Sequence, residues 1–478
     1  MKLEQLKEKV KNGLRFHVDS REVRAGDAFV VTYENVKFVG HAINCGARYI
    51  VIPPEFKDVV KDFSGDIIFV ENSKKIVGDL AALYYGTYKQ NFLLIGITGT
   101  NGKTTTSYLI EHLLKNLGMN VGVIGTINYR WNNNIIKSKL TTPGCIELHS
   151  IISDMIKDKT DAIIMEVSSH GLDQDRVAGL KFDYAVFTNL SQDHLDYHKN
   201  MDEYFRAKLK LFDEYLRDKQ TAILNLQDPY GIKIKESIQK KYIGYGFKSN
   251  GLTRDGNIIG ELVKSTQDGQ KIRCFYKDKE WEIDFPLLGS YNVLNLLAAQ
   301  GVGIAMGIRP QVFKCFEHVS QIPGRLEKVT NPYGLNIFID YAHTPDALEN
   351  VLKTIRSMGF EKVITVFGCG GDRDKKKRPL MGKVAEMYSD IVVVTSDNPR
   401  GEDPELIIND IISGLDNCGK LIKEMDRKKA IEIALSLLSQ EDVLLIAGKG
   451  HEDYQEIEGV RYPFSDRAVV EEILGTWK

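Results

Sequence analysis

A short glycine-rich segment, residues 99–104, carries the residue types that bind phosphate. It reads Gly-Thr-Asn-Gly-Lys-Thr, follows the apolar run 92–97 and precedes the amphipathic stretch 104–117. A strand, a glycine loop and a helix N-terminus in this order direct backbone N–H groups and the helix dipole at an anion. Lys103 adds a cation for the outer phosphates, and the Thr104 hydroxyl suits Mg2+. The segment therefore predicts a nucleotide site.

The loop departs from the common P-loop pattern, which has a glycine five residues before Gly102. That position is Ile97. An ordinary tight turn between a strand and a helix is the alternative interpretation, because isolated Gly-Lys-Thr triplets are common. The strand before the loop and the helix after it favour a nucleotide site in a shorter variant of the motif.

Polar side chains also end or follow the next predicted strands. Glu166 lies in the strand 162–167, and His194 follows the strand 184–188. The carboxyl ends of parallel strands meet at one edge of a sheet, where ligands bind. A buried acidic residue there is costly unless it is paired or binds metal. Glu166 and His194 are therefore candidate Mg2+ ligands near Lys103, although each alone is as readily a satisfied loop residue.

Two further predicted helices carry polar residues that chemistry could use. Lys208 lies beside the apolar stripe of the helix 204–212, and by pattern alone its stem covers apolar surface. Asn292 and Asn295 are three residues apart on one helix face. Two amides on one face suit an adenine edge, although asparagines more often cap or solvate a helix start.

These candidates are positioned by an α/β fold with three domains. A chain of 478 residues is too long for one core. We expect a small N-terminal α/β domain in residues 1–88, with Ser73 as the N-cap of a helix. Residues 89–325 predict a central P-loop-type domain with a mostly parallel sheet and helices on both faces. Residues 326–478 predict a Rossmann-like α/β domain.

Four polar loops follow the strands of the C-terminal domain and predict a second site on its rim. These loops span residues 340–343, 370–374, 396–400 and 448–452. None supplies the G-x-G-x-x-G fingerprint of a dinucleotide-binding protein, so a dehydrogenase is disfavoured.

Composition excludes several classes of protein. The net charge of −2 gives no case for nucleic-acid binding. No apolar run approaches the ~20 residues of a membrane span, and residues 1–13 predict a charged amphipathic helix rather than a signal peptide. We expect a cytoplasmic monomer with no membrane or nucleic-acid partner. Scattered cysteines without a C-x-x-C pair indicate reduced thiols. They are Cys45, Cys145, Cys274, Cys315, Cys369 and Cys418.

The motifs, taken in order, resemble those of the Mur ligase family over almost the whole chain. They lie at 99–104, 165–170, 189–194, 291–295, 324–327 and 340–343. In this family, ATP phosphorylates a substrate carboxylate and an amine attacks the acyl phosphate. The chain resembles most closely the members that add the third amino acid. The resemblance implies ATP, Mg2+ and UDP-N-acetylmuramoyl-L-alanyl-D-glutamate, and a role in peptidoglycan precursor synthesis.

The resemblance also implies roles for individual residues. ATP contacts are implied for Thr100, Asn101, Gly102, Lys103, Thr104, Thr105, Thr106, Asn292, Asn295 and Asp340. Metal contacts are implied for Thr104, Glu166, His194 and, as a carbamate, Lys208. Arg325 and His343 would join Lys103, Glu166, His194 and Lys208 as catalytic residues when the C-terminal half closes. Contacts to the UDP substrate are implied for Ser20, Thr141, Thr142, Ser168, Gln174 and Arg176. The loop 32–38, near the uridine side, is shorter than the family pattern.

The segment Asp397-Asn398-Pro399-Arg400 resembles the form of this loop in members that add meso-diaminopimelate. This amino acid differs from lysine by a second carboxylate, which the planar fork of Arg400 can bind bidentately. Lysine would leave Arg400 unpaired, at a penalty of ~2–4 kcal/mol. The remaining amino-acid contacts would come from Arg373, near the reacting amine, and from Gly448 and Glu452, at the far ammonium.

Other functions remain as alternatives at this stage. Folylpolyglutamate synthetases share the phosphate loop, but the segment 397–400 and the N-terminal domain argue against that activity. A lysine-adding ligase is disfavoured by Arg400. A P-loop kinase is a further alternative and would release a stable phosphoester. A non-catalytic nucleotide-binding regulator is another, but it would not need Lys208, Glu166 and His194 together.

Overall fold

The chain folds as three α/β parts, each built on its own sheet. The computed structural model describes residues 2–416 and 421–477, so Cys418 of the cysteine set lies outside the described residues, as does Met1 of the predicted first helix. The sheets have four, eleven and six strands, and a two-stranded hairpin completes the set. The predicted fold class is confirmed. We retain 1–88, 89–325 and 326–478 as proposed domain boundaries.

The N-terminal part is a four-stranded parallel sheet with an apolar cluster on each face. The prediction that Ser73 caps a helix is wrong by one residue. The side chain of Asn72 accepts a hydrogen bond from the backbone N–H of Lys75 at 3.0 Å, and Ser73 is the first helical residue. The elements are α1 Leu3–Lys11, β1 Phe16–His17, β2 Ala28–Val30, α2 Val39–Asn44, β3 Tyr49–Ile52, β4 Asp66–Phe69 and α3 Ser73–Tyr85.

The central part is an eleven-stranded mixed sheet. Its elements are β5 Leu93–Thr98, α4 Lys103–Asn116, β6 Val121–Ile124, β7 Asn128–Trp131, β8 Asn134–Lys137, α5 Cys145–Lys157, β9 Ala162–Glu166, α6 Ser169–Asp173, β10 Phe182–Phe187, α7 Met201–Lys210, β11 Leu216–Asn225, α8 Pro229–Ser237, β12 Lys241–Phe247, β13 Asn257–Thr266, β14 Gly269–Tyr276, β15 Lys279–Phe285 and α9 Ser290–Ala305.

The middle of this sheet is parallel, as predicted, and its two edges are antiparallel. The strand order is β15-β14-β13-β12-β11-β10-β5-β9-β6-β7-β8. The hairpin β7–β8 and the strands β14 and β15 were not predicted. On β5, Ile95 and Ile97 pack with α4 and α9, whereas Leu94 packs with α5 on the opposite face. This alternation buries both faces, which explains why the strand is apolar throughout.

The C-terminal part is a six-stranded sheet in the order β16-β17-β21-β18-β19-β20, parallel except at β16. Apolar clusters cover both of its faces. Its elements, including the separate hairpin β22–β23, are β16 Glu327–Lys328, β17 Asn336–Asp340, α10 Pro345–Arg356, β18 Val363–Phe367, α11 Lys377–Tyr388, β19 Ile391–Val394, α12 Pro404–Ile412, β20 Leu421–Lys423, α13 Arg427–Ser436, β21 Val443–Ala447, β22 Tyr454–Ile457, β23 Val460–Pro463 and α14 Asp466–Thr476.

The structure describes five of the six cysteines and all of the helices named above. Five cysteines, at positions 45, 145, 274, 315 and 369, are free thiols. Within residues 2–416 and 421–477, no helix has both the length and the apolar character needed to cross a bilayer.

Candidate functional site

Two cavities lie where the carboxyl ends of the central and C-terminal sheets face each other. The smaller, about 230 Å³, is lined by the phosphate loop and by Asn295, Arg325 and Asp340. The larger, about 930 Å³, is lined by residues of both sheets, including Arg400 and Glu452. The cavities share a boundary, because the same side chains line both. These shared residues are Thr126, Thr141, Ser168, Asp193, His194, Tyr341 and His343.

The phosphate loop is built so closely against its neighbours that two of its positions require glycine. A Cβ on Gly99 would lie 1.9 Å from the Thr188 hydroxyl oxygen, and one on Gly102 would lie 2.4 Å from Asn295 Oδ1. Gly102 also has φ +85°, in the left-handed region that disfavours side chains. The loop thus presents backbone rather than side chains, as an anion site at the start of α4 requires.

Two lysines meet under this loop, Lys208 buried and Lys103 partly buried. Lys103 Nζ donates to the carbonyl oxygens of Gly99 at 2.7 Å and Thr100 at 2.8 Å. Lys208 Nζ donates to the same Gly99 oxygen at 3.0 Å. Burial lowers the pKa of Lys103 to about 8, against the attraction of Glu166. Burial and the nearby Lys103 charge lower the pKa of Lys208 well below its usual value.

Glu166 sits at the end of β9 and accepts hydrogen bonds from three hydroxyl groups, two on α4 and one in the loop after β6. Its Oε2 accepts from Thr104 at 2.9 Å and Thr126 at 2.8 Å, and its Oε1 accepts from Ser107 at 3.4 Å. Arg325 Nη2 donates to the Thr104 hydroxyl at 2.9 Å. The predicted residues Thr104, Glu166 and Arg325 therefore converge at the start of α4.

This donor set fits Mg2+. Across residues 2–416 and 421–477, no group of three His, Cys, Asp or Glu side chains forms a ready metal cage. Mg2+ binds through one or two carboxylates together with phosphate oxygens and water, so one carboxylate and one hydroxyl beside a phosphate loop suffice. The buried Nε of Arg325 has no hydrogen-bond partner within residues 2–416 and 421–477, which leaves a donor beside Thr104 for a ligand anion.

The boundary between the cavities is formed by a charged cluster from both sheets. His194 adopts φ +55°, unusual for a residue with a side chain. Asp193 lies within 3.7 Å of His343 Nε2 and of Lys377 Nζ, both from the C-terminal part. Burial alone would raise the pKa of Asp193, but the hydrogen bond from His343 and the charges of His194 and Lys377 hold it well below the usual value. Burial lowers the pKa of His194 to about 3, against the raising effect of Asp193.

A second link joins the phosphate loop to the C-terminal part. Asp346, in the first turn of α10, accepts hydrogen bonds from Asn101 Nδ2 at 2.9 Å and from Ser191 Oγ at 3.2 Å. The sequence analysis did not single out Asp346. Its position three residues after His343 was the available signal.

Only some of the residues predicted to contact ATP line the smaller cavity. Asn295 and Asp340 line it, and burial raises the pKa of Asp340. Asn292 lies behind Asn295, accepts its amide at 3.1 Å and donates to the Leu288 carbonyl at 2.7 Å. Thr106 donates to Asn295 Oδ1 at 3.3 Å. Asn292 and Thr106 thus orient Asn295 and do not line the cavity, which differs from the predicted direct contacts with ATP.

The residues predicted to bind the UDP substrate fall into two groups. Thr141, Ser168 and Arg176 line the larger cavity. Thr142 is buried beside them, donates to the Glu166 carbonyl at 2.9 Å and to Ser168 Oγ at 3.2 Å, and accepts from the Ser168 N–H. Gln174 accepts from Arg176 Nε at 3.0 Å and so orients its guanidinium. Ser20 is separate from this group.

Ser20 lies in the N-terminal part, where its hydroxyl is 3.1 Å from His41 Nδ1. Its side chain is buried in the segment between β1 and β2. It lines neither of the two cavities. Its contact with the UDP substrate stays a prediction.

The larger cavity has one wall of mixed charge. Arg373 and Arg400 line it with Asp397, Asn398 and Glu452. Arg400 has φ +52°, and its backbone pairs with β22 through Glu456 and Glu458. Its Nη1 donates to the Gly371 carbonyl at 2.6 Å, which aims the guanidinium along the cavity. Asn398 Nδ2 donates to Glu452 Oε2 at 2.8 Å.

Comparison with known proteins places this geometry in a family. Residues 97–303 match the model described as Mur ligase middle domain, and residues 324–450 match Mur ligase, glutamate ligase domain. The chain is 46% identical over 462 residues to UDP-N-acetylmuramoyl-L-alanyl-D-glutamate–2,6-diaminopimelate ligase of Lawsonia intracellularis, covering 96% of this chain and 95% of that relative. The chain belongs to the Mur ligase family.

Two further similarities extend over nearly the full length of this Mur ligase. A ligase of the same name from Aquifex aeolicus is 42% identical, with coverage of 96% of this chain and 93% of the relative. A solved structure of a ligase of that name has a TM-score of 0.67 and 32% identity, covering 96% of this chain and 94% of the other.

Several functional candidates in this Mur ligase escaped the sequence analysis. Asp193, Asp346, Lys377 and Lys449 are buried or half-buried polar residues whose partners lie far away in sequence. Lys449 fell within the polar loop 448–452, and Lys377 follows the loop 370–374. Their positions beside strand-end loops were the available signal, but only the structure supplies the partners.

Proposed function

We propose that this Mur ligase joins meso-diaminopimelate to the D-glutamyl carboxylate of UDP-N-acetylmuramoyl-L-alanyl-D-glutamate, through an acyl phosphate formed from ATP. The observation that carries the proposal is the meeting of two cavities at Asp193 and His343. One cavity contains a phosphate loop, and the other contains a wall of mixed charge for an amino acid. The names of the full-length relatives support this reaction and its place in peptidoglycan precursor synthesis.

The smaller cavity is the proposed ATP site. The backbone of 99–104 and Lys103 would hold the outer phosphates, and Asn295 and Asp340 would face the nucleoside. Thr104 and Glu166 would hold Mg2+, with His194 as a further candidate at the boundary. When bound, Mg2+ neutralises charge on the phosphate oxygens. Arg325 adds its free Nε donor where charge develops on the transferred group.

Lys208 suits carbamylation, which we propose as its state in the active enzyme. Carbamylation needs a neutral amine, and burial beside Lys103 lowers the pKa of Lys208. The carbamate would turn a repulsive lysine pair into an attractive one. Its oxygens would then be available to a second Mg2+.

The larger cavity is the proposed site of the amino acid and the peptide end of the UDP substrate. Thr141, Ser168 and Arg176 line the side nearest the central sheet and would bind the peptide. On the opposite side, Arg373 would bind the carboxylate nearest the reacting amine. Arg400 would bind the far carboxylate, which lysine lacks.

The amino acid requirement tests this proposal. Purified protein with ATP, Mg2+ and the UDP-dipeptide should release phosphate with meso-diaminopimelate and much more slowly with L-lysine. Arg400→Ala should lower kcat/KM for diaminopimelate by about 30- to 700-fold, from the ~2–4 kcal/mol assigned to the unpaired charge. It should change the slow reaction with lysine far less.

A matched control exists in the same cavity. Arg461 also lines it, but its half-exposed guanidinium pairs with Glu456 and stacks on Tyr454. Arg461→Ala should therefore lower kcat/KM much less than Arg400→Ala. Equal rates with lysine and diaminopimelate in the wild type would contradict the proposed specificity. ATP binding without phosphate release for either amino acid would contradict the ligase itself.

A further inference from the structure

Lys449 is a completely buried lysine directly behind the amino-acid cavity. Its exposed fraction is 0%, and it follows Gly448 in the loop after β21. Its Nζ lies 3.1 Å from Asn398 Oδ1, 3.2 Å from Glu452 Oε2 and 3.5 Å from Asp397 Oδ1. The three partners line the cavity, whereas Lys449 does not. The lysine therefore contacts the wall of the site from its protein side.

Stability alone gives little reason to bury this lysine. Taking an ammonium out of water is costly, and well-packed apolar residues often replace a buried ion pair without loss of stability. Lys449 gains neither a bidentate pair nor a short contact, since its two carboxylate distances are 3.2 and 3.5 Å. The contacts of Lys449 instead connect the 397–400 loop to the 448–452 loop.

The charges around the lysine balance in a way that matches one kind of ligand. Asp397 and Glu452 bring two negative charges, and Lys449 and Arg400 bring two positive charges, so these four side chains together sum to zero. Without Lys449, two neighbouring carboxylates would face the cavity beside Arg400. The far end of diaminopimelate, with one carboxylate and one ammonium, also sums to zero and can pair with both signs on the wall.

We propose that Lys449 is a positioning residue that holds the carboxylates of Asp397 and Glu452 at the cavity wall and balances their charge, so that they accept the far ammonium of the amino acid. The inference rests on the proposed function, because it assumes that this cavity binds diaminopimelate. Lys449 would then influence the affinity for diaminopimelate without contacting it.

The titration of Glu452 supplies a readout that mere packing would not give. Burial and the Asp397 charge raise the pKa of Glu452, and Lys449 and Asn398 act in the opposite direction. Removing Lys449 should therefore raise the pKa of Glu452 further. At a given pH, Glu452 would then be more protonated than in the wild type, and it would regain its charge as the pH rises.

The other charged or titratable groups near this pair do not replace Lys449. Arg427 donates hydrogen bonds to Asp466 and to the carbonyl of Ala447, which directly precedes the 448–452 loop, and these bonds hold its guanidinium in place. Tyr341 and Tyr454 also face the pair, and nearby carboxylates contribute to raising the pKa of both phenols after burial. A phenol is either neutral or negatively charged, so neither tyrosine can replace the positive charge of Lys449.

The test compares Lys449→Met with Lys449→Arg in the full-length enzyme, with phosphate release as the assay. Lys449→Met should raise KM for diaminopimelate about tenfold or more, as expected when a charged partner is lost. Its kcat and its KM for ATP and for the UDP-dipeptide should stay within about threefold of wild type. The increase should shrink as the pH is raised and Glu452 ionises, and Lys449→Arg should restore much of the affinity.

A double variant keeps the test decisive if Lys449→Met does not fold. Lys449→Met/Glu452→Gln removes both charges of the pair and leaves Asp397 to accept the ammonium. If both single variants fold, the rise in KM for diaminopimelate in the double variant should be smaller than the product of the rises in Lys449→Met and Glu452→Gln. If Lys449→Met does not fold, the KM of the double variant should be no higher than that of Glu452→Gln alone.

Three kinds of change in the Lys449→Met enzyme would overturn the inference. One is a loss confined to kcat, another is an equal rise of KM for all three substrates, and the third is a rise that does not depend on pH. Each would indicate packing rather than positioning. A wild-type enzyme with no response to diaminopimelate would refute the proposed function and this inference with it, whereas an active wild type with an unaffected Lys449→Met would refute the inference alone.

Discussion

Replacing Asp346 with alanine should weaken the closed arrangement that brings the two cavities together. Asp346 reaches from α10 to Asn101 in the phosphate loop and to Ser191 after β10, at 2.9 and 3.2 Å. Both contacts join the C-terminal sheet to the central sheet. Their loss leaves the fold of each sheet unchanged and reduces only the preference for closure.

The size of the effect follows from these two hydrogen bonds. A hydrogen bond to a charged group contributes ~1.5–3 kcal/mol, but Asp346 is partly exposed, so ~1 kcal/mol for each bond is the better figure. A total of ~2 kcal/mol corresponds to about a 30-fold shift toward the open arrangement. Because both cavities need closure, kcat/KM should fall by a similar factor for ATP, the UDP-dipeptide and diaminopimelate.

Steady-state rates for each substrate, together with small-angle scattering of the ligand-free protein, provide the assay. Asp346→Ala should show the common loss and a larger radius of gyration. Glu349→Ala is the matched control, since Glu349 lies on the same helix but its partners among the described residues, Lys353 and Tyr388, both belong to the C-terminal part. A loss restricted to KM for ATP would refute closure as the role of Asp346, and an effect below about threefold on all substrates would refute the estimated energy.

Three other perturbations have defined outcomes. Glu166→Gln should lower kcat by about 100-fold and raise the Mg2+ concentration needed for half-maximal rate, because the proposed Mg2+ site loses a ligand charge; a Mg2+ titration of the rate measures this. Arg427→Met should destabilise the fold by ~3–5 kcal/mol in urea unfolding, since it leaves the buried Asp466 carboxylate unpaired. Replacing both Arg427 and Asp466 with uncharged residues should destabilise the fold less. Burial lowers the pKa of His149 to about 4, below its unfolded value near 6.5, so the unfolded chain binds the extra proton. Stability should therefore fall from pH 6.5 to pH 4, by at most ~1.4 kcal/mol per unit from this group; His149→Gln should flatten that part of the unfolding profile, and an unchanged slope would contradict the assignment.

Features set by neighbours along the chain were predictable. The strand β5, the loop 99–104 and the helix α4 follow from apolar runs and glycines, because local backbone preferences and a period of two or 3.6 residues fix them. The cap of α3 was misplaced by one residue, since Asn72 and Ser73 are both good caps and only the observed hydrogen bond to Lys75 distinguishes them. The antiparallel edges were missed because β7, β8, β14 and β15 carry weaker apolar signals.

The sequence by itself therefore determined the three α/β parts, the phosphate loop and the mixed charges of the loop 397–400. Only the tertiary structure decided which of these groups meet. Asp346 with Asn101, Asp193 with Lys377, and Lys449 with Asp397 join residues 52 to 245 positions apart. The physical reason is that such contacts depend on how separate sheets pack and close, whereas strands, loops and helix starts depend on residues that are adjacent in the chain.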